Sequence, residues 1–199
     1  MSQQVDDVKK FVKGFMTNLL IPLAADGILN EELMLECVEV YAQELTSKSA
    51  KANTLEIKSD NDYKALHPYY MSEFMHDDIQ WLSLEHYFQA VKYMDGGDES
   101  VAENIISAQS AELAHRRGAN ASEQKKSTRH NWTKVRGILY EEGIRSMIEQ
   151  NEIARSTLIA TQDSMIFYPH PTNSFLGIFP DGKGENVYGK ILSTIRSTL

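Results

Sequence analysis

Apolar residues recur at helical spacing along most of the chain, and the stretches that alternate instead are few and short. Val5, Val8, Phe11, Val12, Phe15 and Leu19 share one face of a helix expected over 4–20, which Pro22 and Asp26-Gly27 break. Asn30 is a suitable N-cap, with Glu31 and Glu32 in the first turn. Leu33, Val38 and Tyr41 carry a second helix to about Leu45. The small, polar run from Ser47 to Asn53 reads as a linker. The pattern thus predicts a helical N-terminal extension with its linker over 1–53 and a main domain over 54–199. In the main domain Thr54-Leu55-Glu56-Ile57-Lys58 alternates like a short strand, and Ile79-Gln80-Trp81 and Met165-Ile166-Phe167-Tyr168 have strand character. Helices are expected at about 83–94, 98–107, 110–117, 131–149, 151–160 and 186–197, with a loop rich in Pro, Asn and Gly over 169–184. The fold class is α+β, predominantly helical, with a few short strands.

Composition narrows the setting. With 199 residues, 42% of them hydrophobic, the chain can bury a real core. No run approaches the ~18 apolar residues of a membrane span. Met1 to Lys13 lacks the apolar centre of a signal peptide. Cys37 is the only cysteine, so no internal disulfide can form, and a cytoplasmic protein with no membrane partner is expected. A net charge of -8 argues against non-specific binding to a nucleic-acid backbone, yet leaves room for a local basic pocket. Asp26-Gly27 does not open a calcium loop, because Pro22 and Leu33 would occupy ligand positions. Histidines 67, 76, 86, 115, 130 and 170 show no metal-ligand spacing, and neither a metal nor a cofactor is expected.

Three clusters can carry chemistry. In the first, Ser83 is a natural N-cap for a helix on which Leu84, Phe88 and Val91 share an apolar face. Glu85, Gln89 and Lys92, at i, i+4 and i+7, project from another. That row is either a solvent-exposed Glu–Lys stripe or a reaction centre, with Glu85 in the first turn where the helix dipole favours a carboxylate. The second cluster, Ala114-His115-Arg116-Arg117-Gly118, reads as a helix end closed by glycine, whose arginines either complement the dipole or clamp a phosphate. Lys125, Lys126, Arg129 and His130 follow it, and Trp132 is placed to stack on a base or sugar or to join the core. The third runs from Asn173-Ser174-Phe175-Leu176-Gly177 to Asn186. Its glycines permit close backbone approach to a ligand, and Asn186 can cap a last helix whose N-terminus suits an anion.

In order, these pieces resemble the YbiA-like, or NADAR, family. Met71-Ser72-Glu73-Phe74 stands where members carry a Leu-Ser-Asn-Phe-like segment, and residues 83–92 resemble Ser-Val-Glu-His-Tyr-Phe-Gln-Ala-x-Lys with Leu84 for Val. Ala114 to Gly118 resembles an Ala-Lys-x-Leu-Gly-Arg segment, and Trp132 with Arg136 a Trp-x-x-x-Arg helix. Asn151, Leu158 and Thr161 follow, then Gly184, Asn186, Gly189, Leu192 and Arg196, so the resemblance spans about 71–196. It departs at Asn173, where an acid is usual, and at Leu176, where tryptophan is common.

The resemblance implies a YbiA-like fold and an N-glycosidase, a hydrolase of N-glycosyl bonds. Its expected substrate is a small molecule carrying ribosyl phosphate or ADP-ribose. This is a riboflavin-pathway intermediate or an ADP-ribosylated nucleobase such as guanine, with ADP-ribosylated nucleic acid as a further candidate. It places Glu85 and Asn173 at catalysis, and Ser72, Phe74, His86, Gln89, Lys92, Arg117, Trp132, Gly177 and Asn186 at substrate binding. Two other readings stay open. One is a catalytically weak sensor that binds an ADP-ribose-like ligand. The other is a structural protein reusing the fold, with the N-terminal helices docking a partner or a second copy.

Overall fold

The computed structural model describes residues 54–199, so the helices expected before residue 54 lie outside the described residues. Two small sheets form. β1 (Thr54–Glu56) pairs in parallel with β4 (Met165–Phe167), with Leu55 opposite Ile166. β2 (Phe74–His76) and β3 (Ile79–Trp81) form an antiparallel hairpin. Asp77 and Asp78 link them with φ of 51° and 59°, the left-handed backbone that a two-residue hairpin turn needs. The sequence pattern anticipated β3 but not β2, because His76-Asp77-Asp78 lacks the glycine that usually announces such a turn.

Six helices make up most of the rest: α1 (Leu84–Ala90), α2 (Glu99–Ile106), α3 (Ala111–Glu123), α4 (Trp132–Gln150), α5 (Glu152–Ala160) and α6 (Val187–Arg196). Three begin on side-chain caps. Ser83 accepts from the His86 amide, Ser110 from Leu113 and Asn151 from Ala154. α3 runs on past Gly118 to Glu123 instead of stopping at 117. Gly118 is a packing glycine rather than a terminator, since a Cβ there would lie 2.3 Å from Gln89 Oε1.

α1 is the centre of the domain formed by the described residues. It packs against α2, α3 and α4, and every one of its residues except Gln89 is buried. Phe88 packs 4.5 Å from the Tyr140 ring, and Trp81 meets Tyr87 edge-on at 5.0 Å. The Tyr188 hydroxyl ties α6 to Leu66 O at 2.5 Å. The apolar face of Leu84, Tyr87 and Phe88 draws this helix into the interior. That placement carries the polar positions of α1 inward too.

Candidate active site

Glu85 sits in the first turn of α1 and is only 6% exposed, so the Glu85–Gln89–Lys92 row is not a solvent-facing stripe. The reason is α3, which covers that face of α1. Glu85 Oε1 accepts from Gln89 Nε2 at 2.7 Å and pairs with His115 Nδ1, also at 2.7 Å. Gln89 Oε1 accepts from Lys92 Nζ at 2.6 Å. The four side chains form one continuous relay, His115–Glu85–Gln89–Lys92. Gln89 uses its amide in a single orientation, because its donor must meet the carboxylate and its acceptor the ammonium. Glu85 Oε2 has no protein partner among the described residues and is not sealed from solvent.

The relay borders a cavity of about 240 Å³. From α1 and the turn after it come Glu85, Phe88, Gln89 and Lys92. From α3 come His115, Ala119 and Ser122, at i, i+4 and i+7. The loop after β4 supplies Tyr168, His170, Asn173 and Leu176, and α4 supplies Tyr140. His170 Nδ1 accepts from the Asn173 and Thr172 amides at 2.9 and 3.3 Å, so its proton belongs on Nε2. Burial holds the His170 pKa below its ordinary value. Burial also lowers the Lys92 pKa, against the pull of Glu85. The hydrogen bond to Glu85 raises that of His115, against burial and Lys92. Burial pushes the phenols of Tyr140 and Tyr168 well above their usual range, so both remain neutral donors. On the other side of His170 lies a larger, mostly apolar groove of about 590 Å³, walled by Phe167, Pro169, Ile178 and Phe179. Among the described residues no three His, Cys, Asp or Glu side chains converge as a metal-ligand set, and no helix is long and apolar enough to cross a membrane.

Of the residues expected at catalysis or substrate binding, Glu85, Gln89, Lys92 and Asn173 meet at this cavity. Asn173 Oδ1 accepts from the Phe175 and Leu176 amides at 3.2 and 3.1 Å, shaping the turn, while its Nδ2 is left without a protein partner among the described residues. The others stand elsewhere. Ser72 is buried, its amide bonded to Leu82 O and its hydroxyl without a partner among the described residues. Phe74 packs in the core against Tyr87. His86 is wedged between Ser83 Oγ at 2.7 Å and Ala108 O at 3.0 Å, joining α1 to the connection between α2 and α3. Trp132 packs edge-on to Tyr140, 5.7 Å between centroids. Gly177 lies where a Cβ would meet Tyr168 O and His170 Cβ, each at 2.5 Å, so it lets the loop close behind the cavity. Asn186 stands at the N-cap of α6 without capping it. Its side chain accepts from Tyr168 N at 3.1 Å and donates to Ile166 O at 2.8 Å, bracing the strand end that holds Tyr168.

Arg117 is not at the cavity. Its guanidinium bonds Asn104 O and Ser107 Oγ, closing the end of α2. Helical periodicity explains this, because 115, 119 and 122 share the cavity face and 117 falls on the opposite side of the helix. With the glycine of the resemblance pattern held at Gly118, the pattern's final arginine falls on Ala119. The phosphate-clamp reading of Arg117 therefore finds no support in its position. His115, His170, Tyr140 and Tyr168 are the cavity residues that sequence reasoning passed over. His115 was recoverable, since it is the polar member of a face otherwise reduced to Ala119 and Ser122. His170 had no local signal, because a loop of irregular course brings it in.

The NADAR domain family model matches residues 38–199, reaching further toward the N-terminus than the 71–196 stretch of motifs. N-glycosidase YbiA from Shigella boydii serotype 4 (strain Sb227) is 32% identical over 123 residues, 62% of this chain and 73% of that one. Riboflavin biosynthesis protein VVA0006 from Vibrio vulnificus (strain YJ016) is 31% identical over 119 residues, 60% of this chain and 31% of that protein. The NMR structure of the E. coli protein YbiA superposes with a TM-score of 0.64 at 28% identity, over 73% of this chain and 84% of that one.

Proposed function

We propose that this chain, which belongs to the NADAR domain family, hydrolyses the N-glycosidic bond of a ribosylated, phosphate-bearing small molecule. Its kinship with proteins named N-glycosidase makes it a hydrolase of N-glycosyl bonds. The observation that carries the site assignment is the state of Glu85. It is a buried carboxylate lining the cavity, its Oε1 held by two donors while its Oε2 has no protein partner among the described residues. Breaking C1–N builds positive charge on C1 and the ring oxygen of the sugar, as in O-glycoside cleavage. A fixed carboxylate oxygen stabilises that charge or takes the proton of an attacking water. The departing nitrogen leaves with the bond's electron pair and is protonated, and water's hydroxyl ends on C1.

Lys92 supplies a cation inside the cavity for a phosphate or a sugar hydroxyl. Asn173 offers its free Nδ2 as a donor that orients the sugar or the water, although an amide cannot accept a proton at neutral pH. A volume of about 240 Å³ falls below the ~300–1,000 Å³ that encloses a drug-sized ligand. The ribosyl phosphate therefore enters and the base stays outside, where the groove beyond His170 gives it aromatic and proline surface. Both a phosphorylated riboflavin-pathway intermediate and an ADP-ribosylated base such as guanine, free or in nucleic acid, fit these demands. A sensor that binds without turnover is the second reading, favoured by the amide at Asn173. The test is a panel of N-ribosyl compounds with and without phosphate, incubated with the full chain and followed by mass spectrometry. Release of free base, faster with phosphate, supports the glycosidase. Saturable binding without release supports the sensor, and neither outcome leaves the fold in a structural role.

A further inference from the structure

We propose that His115 is a positioning residue for Glu85: its Nδ1–H, reaching across from α3, fixes Oε1 and leaves Oε2 as the oxygen presented to the substrate. The inference rests on the glycosidase reading above and adds to it a residue that sequence reasoning passed over. Glu85 has three rotatable side-chain bonds, and one donor on its own helix does not fix the carboxylate plane. Gln89 approaches Oε1 along α1 at 2.7 Å and His115 approaches from the neighbouring helix at 2.7 Å. Two donors from two helices fill both lone pairs of one oxygen, and the carboxylate is left with a held oxygen and a free one. A charge-assisted bond of this kind is short and strong, so the asymmetry persists while substrate enters and product leaves.

His115 is suited to this because its ring is held on several sides. Glu85 faces it from α1, Lys92 from the turn after α1 and His170 from the loop after β4, and the Tyr69 ring lies 5.7 Å away at 46°. Glu112 precedes it by one turn on α3. The side chain keeps 42% of its surface exposed, so it exchanges protons with solvent without leaving Glu85. Among these neighbours the Glu85 carboxylate dominates and holds the imidazole protonated to higher pH than usual.

The test uses the full chain with His115→Ala, His115→Lys and Glu85→Gln. In His115→Ala, kcat for N-ribosyl hydrolysis is expected to fall about 10- to 100-fold, with KM changed less than about twofold, because the lost bond orients a reacting group and does not hold substrate. His115→Lys keeps a cationic donor and is expected to recover at least about a third of the wild-type rate. Histidine NMR gives a second readout. The His115 titration midpoint, above about 6.5 in the wild-type chain, is expected to drop in Glu85→Gln. Wild-type kcat in His115→Ala, or a His115 midpoint unmoved by Glu85→Gln, overturns the role given to His115 while the glycosidase reading stands. A wild-type chain that releases no base from any N-ribosyl substrate overturns the glycosidase reading and the His115 role together.

Discussion

Replacing Gly118 by alanine tests whether the relay depends on the close contact of α1 and α3. A Cβ at this position would lie 2.3 Å from Gln89 Oε1, 2.9 Å from Cδ and 3.0 Å from Cβ. Carbon atoms rest at about 3.5–4.0 Å, so the new methyl cannot be accommodated by turning the amide alone. Gln89 Cβ is fixed on a buried helix, and the whole side chain has to leave. Its bonds to Glu85 at 2.7 Å and to Lys92 at 2.6 Å go with it. Overpacking costs about 1–3 kcal/mol. Hydrogen bonds to charged groups add about 1.5–3 kcal/mol each before solvent takes over part of their role. Alanine in place of a helical glycine returns about 1 kcal/mol. Gln89 is only half-buried, so water replaces most of those bonds and about 1 kcal/mol of their loss remains. A net destabilisation of about 1–3 kcal/mol follows, which lowers Tm by roughly 3–10 °C in a domain of this size. Turnover is expected to fall about tenfold as Glu85 loses one of its two restraints. Thermal melts and steady-state kinetics on Gly118→Ala, Gln89→Ala and the double variant give the reading. If the clash is the cause, adding Gly118→Ala to Gln89→Ala costs less than adding it to the wild-type chain, because only the 3.0 Å approach to Cβ remains. A single variant as stable and as fast as the wild-type chain would refute this account of Gly118.

Three further outcomes are expected. Burial lowers the pKa of His86, so this residue stabilises the fold above about pH 6.5 and loses that contribution as pH falls, when the unfolded chain takes up a proton the folded one resists. His67 and His170 act in the same direction. His115, raised by Glu85, acts in the opposite one, its contribution present below about pH 6.5 and lost as pH rises through its folded pKa. Tm should therefore drop between pH 7 and pH 5.5, and less steeply in His86→Gln; equal slopes would count against it. Arg117→Ala should cost about 0.5–1.5 kcal/mol of stability and leave phosphate-ligand affinity unchanged. Lys92→Ala should weaken phosphate-bearing ligands about 10-fold or more in calorimetry, and the reverse pattern would restore Arg117 to the site. Asn173→Asp keeps an acceptor for the Phe175 and Leu176 amides, so stability should stay within about 0.5 kcal/mol. Its rate on at least one N-ribosyl substrate should rise, and an unchanged rate and pH profile would reduce Asn173 to a turn former.

The helices of 54–199 were legible because their caps and apolar spacing are local. Ser83, Ser110 and Asn151 act as caps where the pattern put helix starts. The errors came where distant packing decides. Gly118 looks like a terminator by sequence, yet it is kept small by Gln89 on another helix. Asn186 looks like a cap, yet its side chain is taken by Tyr168 and Ile166, about twenty residues earlier. The Glu85–Gln89–Lys92 face was legible from spacing, but spacing alone leaves a stripe equally at home in solvent. Its burial comes from α3. His170 and Tyr168 reach the cavity through a loop whose path no periodicity encodes.

The central claim is that Glu85 carries N-glycosidic hydrolysis, and the most direct test compares the wild-type chain with Glu85→Gln. The substitution keeps size and an acceptor for Gln89 and His115 but removes the charge. Base release is measured by mass spectrometry on the substrate that turns over fastest. With Tm unchanged, the expected result is a loss of about 100- to 1,000-fold in kcat, the size associated with removing one preorganised electrostatic group. Wild-type turnover in an equally stable Glu85→Gln chain would contradict the account.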